Sequence, residues 1–315
     1  MPQFWASRRV AVSAVVVAAV SCWGVTTLRR GPAAISVDDI VRNGGKALTL
    51  SDGRLLEYFE HGASTATATT TLLAIHGAQT TGNLFHLVDG WARDRRVRVI
   101  SPTLPGFGLT PYAGPYQPDR MVNDLQHLMR HAAPEASTFY VVGTSLGSIP
   151  AAALASLDDR VLGVELYVSF APREHDHDPL KDSMLSTFAA TRRFPTFKKL
   201  FETGFIWPLM KWFMPKDGDV YRSIRWQWEG LSSCADIIYA PWAFDWRSMA
   251  TRKDGGRRRV IIVSGSDDKA APPHNQQFLH REIRGSSLVQ YQGAHERSVV
   301  EPSLLAQHLE LLFDV

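Results

Sequence analysis

Short, uninterrupted apolar runs alternate with helix-patterned segments along most of this chain. Strands that are apolar on both faces, with helices between them, are typical of a parallel sheet covered on both sides. The sequence therefore predicts an α/β fold with a mostly parallel central sheet flanked by helices. The predicted strands are Thr71–Ile75, Val97–Ile100, Thr138–Val142, Val161–Ser169, Val260–Ser264 and Ser286–Gln290. The predicted helices are Leu84–Arg93, Asp119–His131, Ile149–Leu157, His274–Ile283 and Pro302–Phe313.

A hairpin precedes this alternation. Lys46–Leu50 and Arg54–Glu60 alternate in polarity on either side of Ser51-Asp52-Gly53. An Asp-Gly pair supplies the positive φ that a tight hairpin turn needs. We therefore expect antiparallel strands at one edge of the sheet.

An aromatic-rich stretch interrupts the alternation at about residues 172–256. It contains helical spacings but no clear strand–helix unit, so we predict an inserted, largely helical cap. Its expected place is over the carboxyl ends of the strands, where open α/β sheets bind ligands. Its aromatic side chains could line an apolar pocket or form the cap's own small core.

The N-terminal segment has a composition unlike the rest. Val10–Leu28 carries no charge and lies between the pairs Arg8-Arg9 and Arg29-Arg30. As a helix it would reach roughly 28 Å, close to the hydrocarbon thickness of a bilayer. We expect residues 1–30 to form a single membrane-spanning anchor, with a cleaved secretory signal or an organellar transit peptide as the alternatives. Residues 31–45 are predicted to be a linker, and residues 46–315 one domain that includes the insertion.

Charge and cysteine content narrow the classes of partner. The net charge of +3 over 315 residues is small, so a nucleic-acid-binding surface is not implied. The two cysteines, Cys22 and Cys234, allow neither a disulfide framework nor a cysteine-based metal site. The run from His175 to Asp178 alternates histidine and aspartate and could suggest a metal site, but we interpret it as a polar loop. We predict no metal, no cofactor and no nucleic-acid partner.

Gly143-Thr144-Ser145-Leu146-Gly147 lies between a predicted buried strand and an alanine-rich helix. The G-x-S-x-G pattern in this setting is typical of a nucleophile elbow, in which the serine occupies a sharp, strained turn. Glycine is needed two residues before and after the serine because other chain segments approach the backbone there. The helix that follows offers free N–H groups and the positive end of its dipole. Ser145 is the predicted nucleophile.

A serine hydroxyl needs a base, and the base needs an acceptor for its second ring nitrogen. His295 follows the last predicted strand, so it can reach an elbow at the same sheet edge. Asp267 and Asp268 follow the preceding strand, and either carboxylate could orient the histidine. The order serine, aspartate, histidine along the chain is the one found in α/β-hydrolases.

From Lys46 to its C-terminus the chain resembles the α/β-hydrolase fold family, in particular the cap-bearing branch of esterases, lipases and iminopeptidase-like enzymes. The resemblance implies that Asp268 is the catalytic acid, because the family's acid loop has the pattern G-x-x-D-x-x-x-P. It also implies an oxyanion hole made of the backbone N–H groups of Leu146 and Ala78, with Gln79 as the alternative to Ala78. Epoxide hydrolases and dehalogenases of this family use an aspartate at the elbow, which Ser145 argues against. The motifs that carry the resemblance are His76-Gly77-Ala78-Gln79, Leu104-Pro105-Gly106-Phe107-Gly108, Gly143–Gly147, Gly265–Pro272, His295 and Glu301-Pro302.

The predicted activity is that of a serine hydrolase of the carboxylesterase or lipase type, acting on a small-molecule ester with an apolar acyl or alcohol group. The same residues could serve an acyltransferase or an iminopeptidase-like amidase. A different class, a non-catalytic ligand-binding protein on the same fold, would not need the nucleophile, base, acid and oxyanion turn together.

Overall fold

A computed structural model describes residues 35–112, 114–173, 175, 218–225, 229–295, 297 and 301–313. In this part of the chain, eight strands form one sheet with the order β1-β2-β4-β3-β5-β6-β7-β8. The strands are β1 (Lys46–Thr49), β2 (Leu55–Gly62), β3 (Thr70–Ile75), β4 (Val97–Pro102), β5 (Phe139–Thr144), β6 (Val161–Tyr167), β7 (Arg259–Gly265) and β8 (Ser287–Tyr291).

Of the described helices, the first precedes β1, the last follows β8 and the others lie between strands. They are α1 (Val37–Arg42), α2 (Asp89–Asp94), α3 (Pro118–Ala132), α4 (Ser148–Leu157), α5 (Asp219–Arg225), α6 (Glu229–Ile238), α7 (Pro273–Glu282) and α8 (Pro302–Phe313). Two 3₁₀ segments, Gly82–Val88 and Ser145–Gly147, precede α2 and α4.

The predicted mostly parallel sheet is confirmed. Strands β3 to β8 pair in parallel, and β1 and β2 add the antiparallel edge. The hairpin turns at Gly53, whose φ of +83° is the conformation that only glycine adopts easily. Strand β2 then pairs antiparallel with β4, whereas β3 lies on the inner side of β4.

The core has two layers, one on each face of the sheet. Successive residues of a strand point to opposite faces, so Val141 joins one layer and Val142 the other. The first layer includes apolar side chains of α3 and α4, and the second includes those of α2 and α8. Burial on both faces explains why the central strands β3, β5, β6 and β7 are mostly apolar, whereas the edge strands β1 and β8 are partly exposed.

Two described helices, α5 and α6, fall in the stretch predicted as a helical cap. Both contact the loop that follows β4: Gly108 N–H donates to Ser223 O at 2.9 Å, and Gly230 N–H donates to Gly106 O at 2.9 Å. Residues 176–217 of the predicted cap lie outside the described residues.

The segment predicted as a linker contains helix α1. A capping box begins it, in which the Ser36 hydroxyl accepts from Asp39 N–H and the Asp39 carboxylate accepts from Ser36 N–H. Ile40 points into the core and is fully buried. Residues 35–43 are therefore packed onto the sheet edge.

The prediction of a membrane anchor is corrected. Within the described parts of the chain, no helix is long and apolar enough to cross a membrane. The longest of these helices, α3, has 15 residues, whereas a span needs about 20. The predicted segment Val10–Leu28 lies outside the described residues. The prediction of a membrane-anchored protein is withdrawn.

Candidate active site

Ser145 stands at the sharp turn between β5 and α4. Its φ of +51° places a non-glycine residue in the left-handed region, which is strained for a side chain with a Cβ. The turn is crowded: a Cβ on Gly143 would lie 2.4 Å from Gly147 O, and a Cβ on Gly147 would lie 2.4 Å from Ile75 O. Glycine at both positions lets the backbone fold back tightly enough to present the serine above the sheet.

The structure brings Ser145, His295 and Asp268 together in one hydrogen-bonded chain. His295 Nε2 lies 2.9 Å from Ser145 Oγ, and His295 Nδ1 lies 2.7 Å from Asp268 Oδ2. The Asp268 carboxylate can only accept, so Nδ1 carries the proton and Nε2 accepts from the Ser145 hydroxyl. The Asp268 side chain is fully buried, whereas 15% of the His295 side chain is exposed.

The two adjacent aspartates have different surroundings. Asp268 Oδ1 accepts from Ala270 N–H at 2.8 Å and from Ala271 N–H at 2.7 Å, which leaves Oδ2 for His295. Asp267 is exposed, and its carboxylate accepts from the Ser266 hydroxyl at 3.2 Å. The carboxylate that the family motif indicates is thus the one in contact with the histidine.

The loop that carries His295 is fastened to the loop that carries Asp268. Asp267 N–H donates to Gly293 O at 3.0 Å, and Gly293 N–H donates to Ser266 Oγ at 3.1 Å. The Tyr291 hydroxyl donates to Ala294 O at 3.1 Å, directly before the histidine. These bonds hold both side chains at the same edge of the sheet.

The predicted oxyanion turn lies beside the serine. A Cβ on Gly77 would lie 3.0 Å from the Cβ of Ser145 and 3.7 Å from its Oγ, so the chain passes the serine at close range just before Ala78. Leu146, the other predicted donor, follows the serine directly and is fully buried. Gln79 has a φ of +61°, which marks a sharp bend after Ala78.

His76 holds this turn in place. Its Nε2 accepts from Leu104 N–H at 2.8 Å, so Nδ1 carries the proton and donates to Gly77 O at 2.6 Å. Complete burial lowers the pKa of His76 to about 4, which keeps the ring neutral at physiological pH. The Thr80 hydroxyl also donates to Gly77 O, at 3.1 Å. Sequence reasoning placed His76 in the oxyanion turn but did not reveal its bond to Leu104, which is 28 residues away.

No metal-binding cluster of three or more His, Cys, Asp or Glu side chains occurs among the described residues. His175 stacks on Phe278, with ring centroids 3.9 Å apart. The neighbouring residues 176–178, which were predicted to belong to a polar loop, lie outside the described part of the chain.

Comparison with protein-family models matches residues 72–307 to the alpha/beta hydrolase family. This span is more than half of the chain. The chain belongs to the alpha/beta hydrolase family. The resemblance inferred from the motifs is thereby confirmed, and membership supports a hydrolase activity for this α/β-hydrolase.

Solved structures show the same fold at low sequence identity. A hydrolase from Pseudomonas aeruginosa PA01 is 21% identical, with a TM-score of 0.60, and the match covers 86% of this chain and 98% of that one. An esterase from Exiguobacterium antarcticum is 17% identical, with a TM-score of 0.61 and coverage of 85% and 98%. An enol-lactonase from Burkholderia xenovorans LB400 is 18% identical, with a TM-score of 0.60 and coverage of 84% and 98%. Among curated proteins, no sequence matches this α/β-hydrolase.

Proposed function

We propose that this α/β-hydrolase is a serine hydrolase that cleaves an ester bond, with Ser145 as nucleophile, His295 as base and Asp268 as the acid that orients the base. The observation that carries the proposal is the unbroken hydrogen-bonded chain from Ser145 Oγ through His295 to Asp268 Oδ2. Each contact lies within the range of a hydrogen bond that can transfer a proton.

The first half of the reaction forms an acyl-enzyme. Ser145 Oγ attacks the carbonyl carbon of the ester while His295 Nε2 takes the hydroxyl proton. The carbonyl oxygen becomes an oxyanion in a tetrahedral intermediate. When this collapses, the bond to the alcohol breaks, and His295 gives its proton to the leaving alkoxide oxygen. Asp268 stays ionised and stabilises the imidazolium while it exists.

The second half removes the acyl group with water. His295 Nε2 accepts a proton from the water, and the resulting hydroxide equivalent adds to the acyl carbon. The tetrahedral intermediate expels Ser145 Oγ, which regains its proton from His295. A carboxylic acid leaves, and the protein returns to its starting protonation state.

The backbone N–H groups of Ala78 and Leu146 are the proposed oxyanion donors. The close approach of Gly77 to Ser145 supports Ala78, and the position of Leu146 directly after the nucleophile supports the other. Removing one such donor from a serine hydrolase typically costs ~10²–10³ in rate. The rigid fixing of the turn by His76 favours stabilisation without reorganisation during the reaction.

The proposed substrate is a small ester with an apolar acyl or alcohol part. The aromatic-rich insertion supports this, and one solved structure of the same fold is described as an esterase. An amide substrate or transfer of the acyl group to a second alcohol would use the same residues.

A fluorophosphonate probe followed by an ester chain-length panel tests the proposal. The probe should attach to Ser145 of the unchanged protein and leave Ser145→Ala unlabelled. Hydrolysis rates should fall by several orders of magnitude in Ser145→Ala while its circular dichroism spectrum is unchanged. Absence of labelling in the folded, unchanged protein would favour a non-catalytic binding protein instead. Matched amides and an added alcohol acceptor distinguish amidase and acyltransferase activities.

A further inference from the structure

Two completely buried serine hydroxyls connect the turn at Ser145 with the interior of the protein. The Ser148 hydroxyl donates to Ser145 O at 2.6 Å, and Ser148 Oγ lies 2.7 Å from Ser169 Oγ. Both serines are fully buried. Ser169 lies two residues beyond β6, so this pair connects the elbow with the end of the neighbouring strand.

Gln276 continues the connection to the acid loop. Its side-chain Nε2 donates to Ser169 O at 2.5 Å and to Ala271 O at 3.2 Å, and its Oε1 accepts from the Ser264 hydroxyl at 3.3 Å. Gln276 is fully buried in the first turn of α7. Two amide hydrogens and one carbonyl oxygen thus bind three separate segments: the end of β6, the acid loop and β7.

Ala271 is the point at which this network reaches the proposed catalytic acid. Gln276 holds its carbonyl, while its own N–H donates to Asp268 Oδ1 at 2.7 Å. A shift of Ala271 would therefore move the hydrogen-bond donor that fixes the Asp268 carboxylate. The rotation of that carboxylate decides whether Oδ2 meets His295 Nδ1.

We infer that Gln276 is a positioning residue for the proposed ester cleavage: its amide sets the acid loop against the elbow, and so sets Asp268 at the correct place relative to Ser145. The inference rests on the proposed function. It goes beyond the Ser145–His295–Asp268 chain, because the hydrogen bonds of Gln276 go to other residues and it acts through Ala271, Ser169 and Ser148.

The chemistry of the site explains why an amide side chain is required. Two buried carbonyl oxygens, of Ser169 and Ala271, need donors, and Ser264 needs an acceptor. A glutamine amide supplies two N–H groups and one oxygen from a single planar group. Removing it leaves buried carbonyls without donors, and the loop relaxes to satisfy them. A misplacement of about 1 Å can cost ~10²-fold in rate.

The test compares Gln276→Met with Asn275→Leu. Each change replaces a buried amide on α7 by an apolar side chain of similar volume. Within the described residues, the side-chain amide of Asn275 has no hydrogen-bond partner, so this residue serves as the matched control. Active sites are first counted by fluorophosphonate titration, so that kcat is expressed per reactive Ser145. A purely structural defect would lower the number of sites, whereas a positioning defect lowers kcat at each site.

For Gln276→Met we expect kcat per site to fall about 10- to 100-fold with KM nearly unchanged, and the rate of probe labelling to fall in parallel. Asn275→Leu should keep the kcat of the unchanged protein. Equal kcat per site in the two variants would overturn the inference. If the unchanged protein neither labels nor hydrolyses esters, it is the proposed function that fails, and the two failures are thus distinguishable.

Ser148→Ala tests the elbow end of the network and decides the matter if Gln276→Met folds poorly. This variant loses only one hydroxyl, and we expect a lower kcat per site at unchanged KM. The double variant with Gln276→Met and Ser148→Ala should lose less kcat per site than the product of the two single losses, because both changes act on the same hydrogen-bonded connection. An unchanged kcat in Ser148→Ala, or fully multiplicative losses, would contradict the connection between elbow and acid loop.

Discussion

At the scale of single residues, the two neighbouring aspartates give the sharpest contrast. Asp268 is buried and bonded to His295 Nδ1, whereas Asp267 faces solvent. An amide at position 268 could donate to Nδ1, which would place the ring proton on Nε2 and block acceptance from Ser145. We expect Asp268→Asn to lower kcat by ~10⁴-fold. Asp267→Asn is the control and should leave kcat unchanged, and steady-state kinetics with one soluble ester measures both. If kcat falls more in Asp267→Asn than in Asp268→Asn, the catalytic acid is Asp267 and the assignment to Asp268 is wrong.

Glu165 is a buried carboxyl outside the proposed mechanism. It lies on β6, is fully buried, and its two oxygens have no hydrogen-bond partner among the described residues. Desolvation raises the pKa of Glu165 to about 8, so the folded protein keeps it protonated where the unfolded chain releases the proton. Because the pKa of Glu165 is higher in the folded protein, its contribution to stability is fully present below the unfolded-state pKa. That contribution is lost as pH rises through the folded-state pKa.

We therefore predict that Glu165→Gln changes the pH dependence of stability. Between the unfolded pKa of 4.5 and the folded value of about 8, the unfolding free energy of the unchanged protein should fall steadily with rising pH because of this group. The variant lacks that loss, so its stability relative to the unchanged protein should rise from pH 5 to pH 8. Urea unfolding at several pH values measures the difference. His76, whose lowered pKa acts in the opposite direction, is present in both proteins and cancels. A difference that does not vary with pH would contradict the prediction.

At the scale of elements, the sequence predicted where strands occur better than where they end. Val161–Ser169 was predicted as one strand, but β6 ends at Tyr167 because Val168 has a φ of +46°. Apolar periodicity reports burial, and burial continues past the point where the backbone leaves the sheet. Helix α1 was predicted as a linker, although Ser36 and Asp39 had the spacing of a capping box. The complete burial of Ile40 shows that this short helix packs on the sheet.

Helix α6 contacts the loop after β4 at Gly230. Replacing this glycine by alanine should therefore destabilise the protein, whereas the same change in a helix usually stabilises it. A Cβ on Gly230 would lie 2.5 Å from Gly106 O, whereas a Cβ on Gly90 of α2 would meet no atom within 4 Å. Alanine normally stabilises a helix over glycine by up to about 1 kcal/mol. We expect Gly90→Ala to raise the melting temperature and Gly230→Ala to lower it, because α6 must move away from the loop. Thermal unfolding followed by circular dichroism measures both, and equal shifts would contradict the packing of α6.

At the scale of the whole molecule, local patterns were enough for the fold class and for the candidate residues Ser145 and His295, whereas the choice of Asp268 over Asp267 came from the resemblance to the family's acid loop. Each of these residues follows a strand of a parallel sheet, and the strand ends meet at one edge. The sequence could not give the strand order, in which β4 lies between β2 and β3. It could not reveal Gln276 either, because a single polar residue in a helix has no local signature of a partner such as Ser169, which is 107 residues away.

The last prediction concerns how much of the N-terminus the fold needs. The family match begins at residue 72, but packing begins earlier: Ile40 is fully buried, and the Arg222 guanidinium donates to Asn43 O. Burying an isoleucine side chain stabilises by about 1.5–3 kcal/mol. We expect a protein that lacks residues 1–34 to keep its unfolding free energy and its rate on a water-soluble ester. A protein that lacks residues 1–45 should be less stable by about that amount, as urea unfolding would show. The control is Ile40→Ala in the full chain, which removes the buried side chain but keeps the segment. If deletion to residue 45 costs no stability while Ile40→Ala does, α1 does not hold the sheet edge and the domain begins at β1.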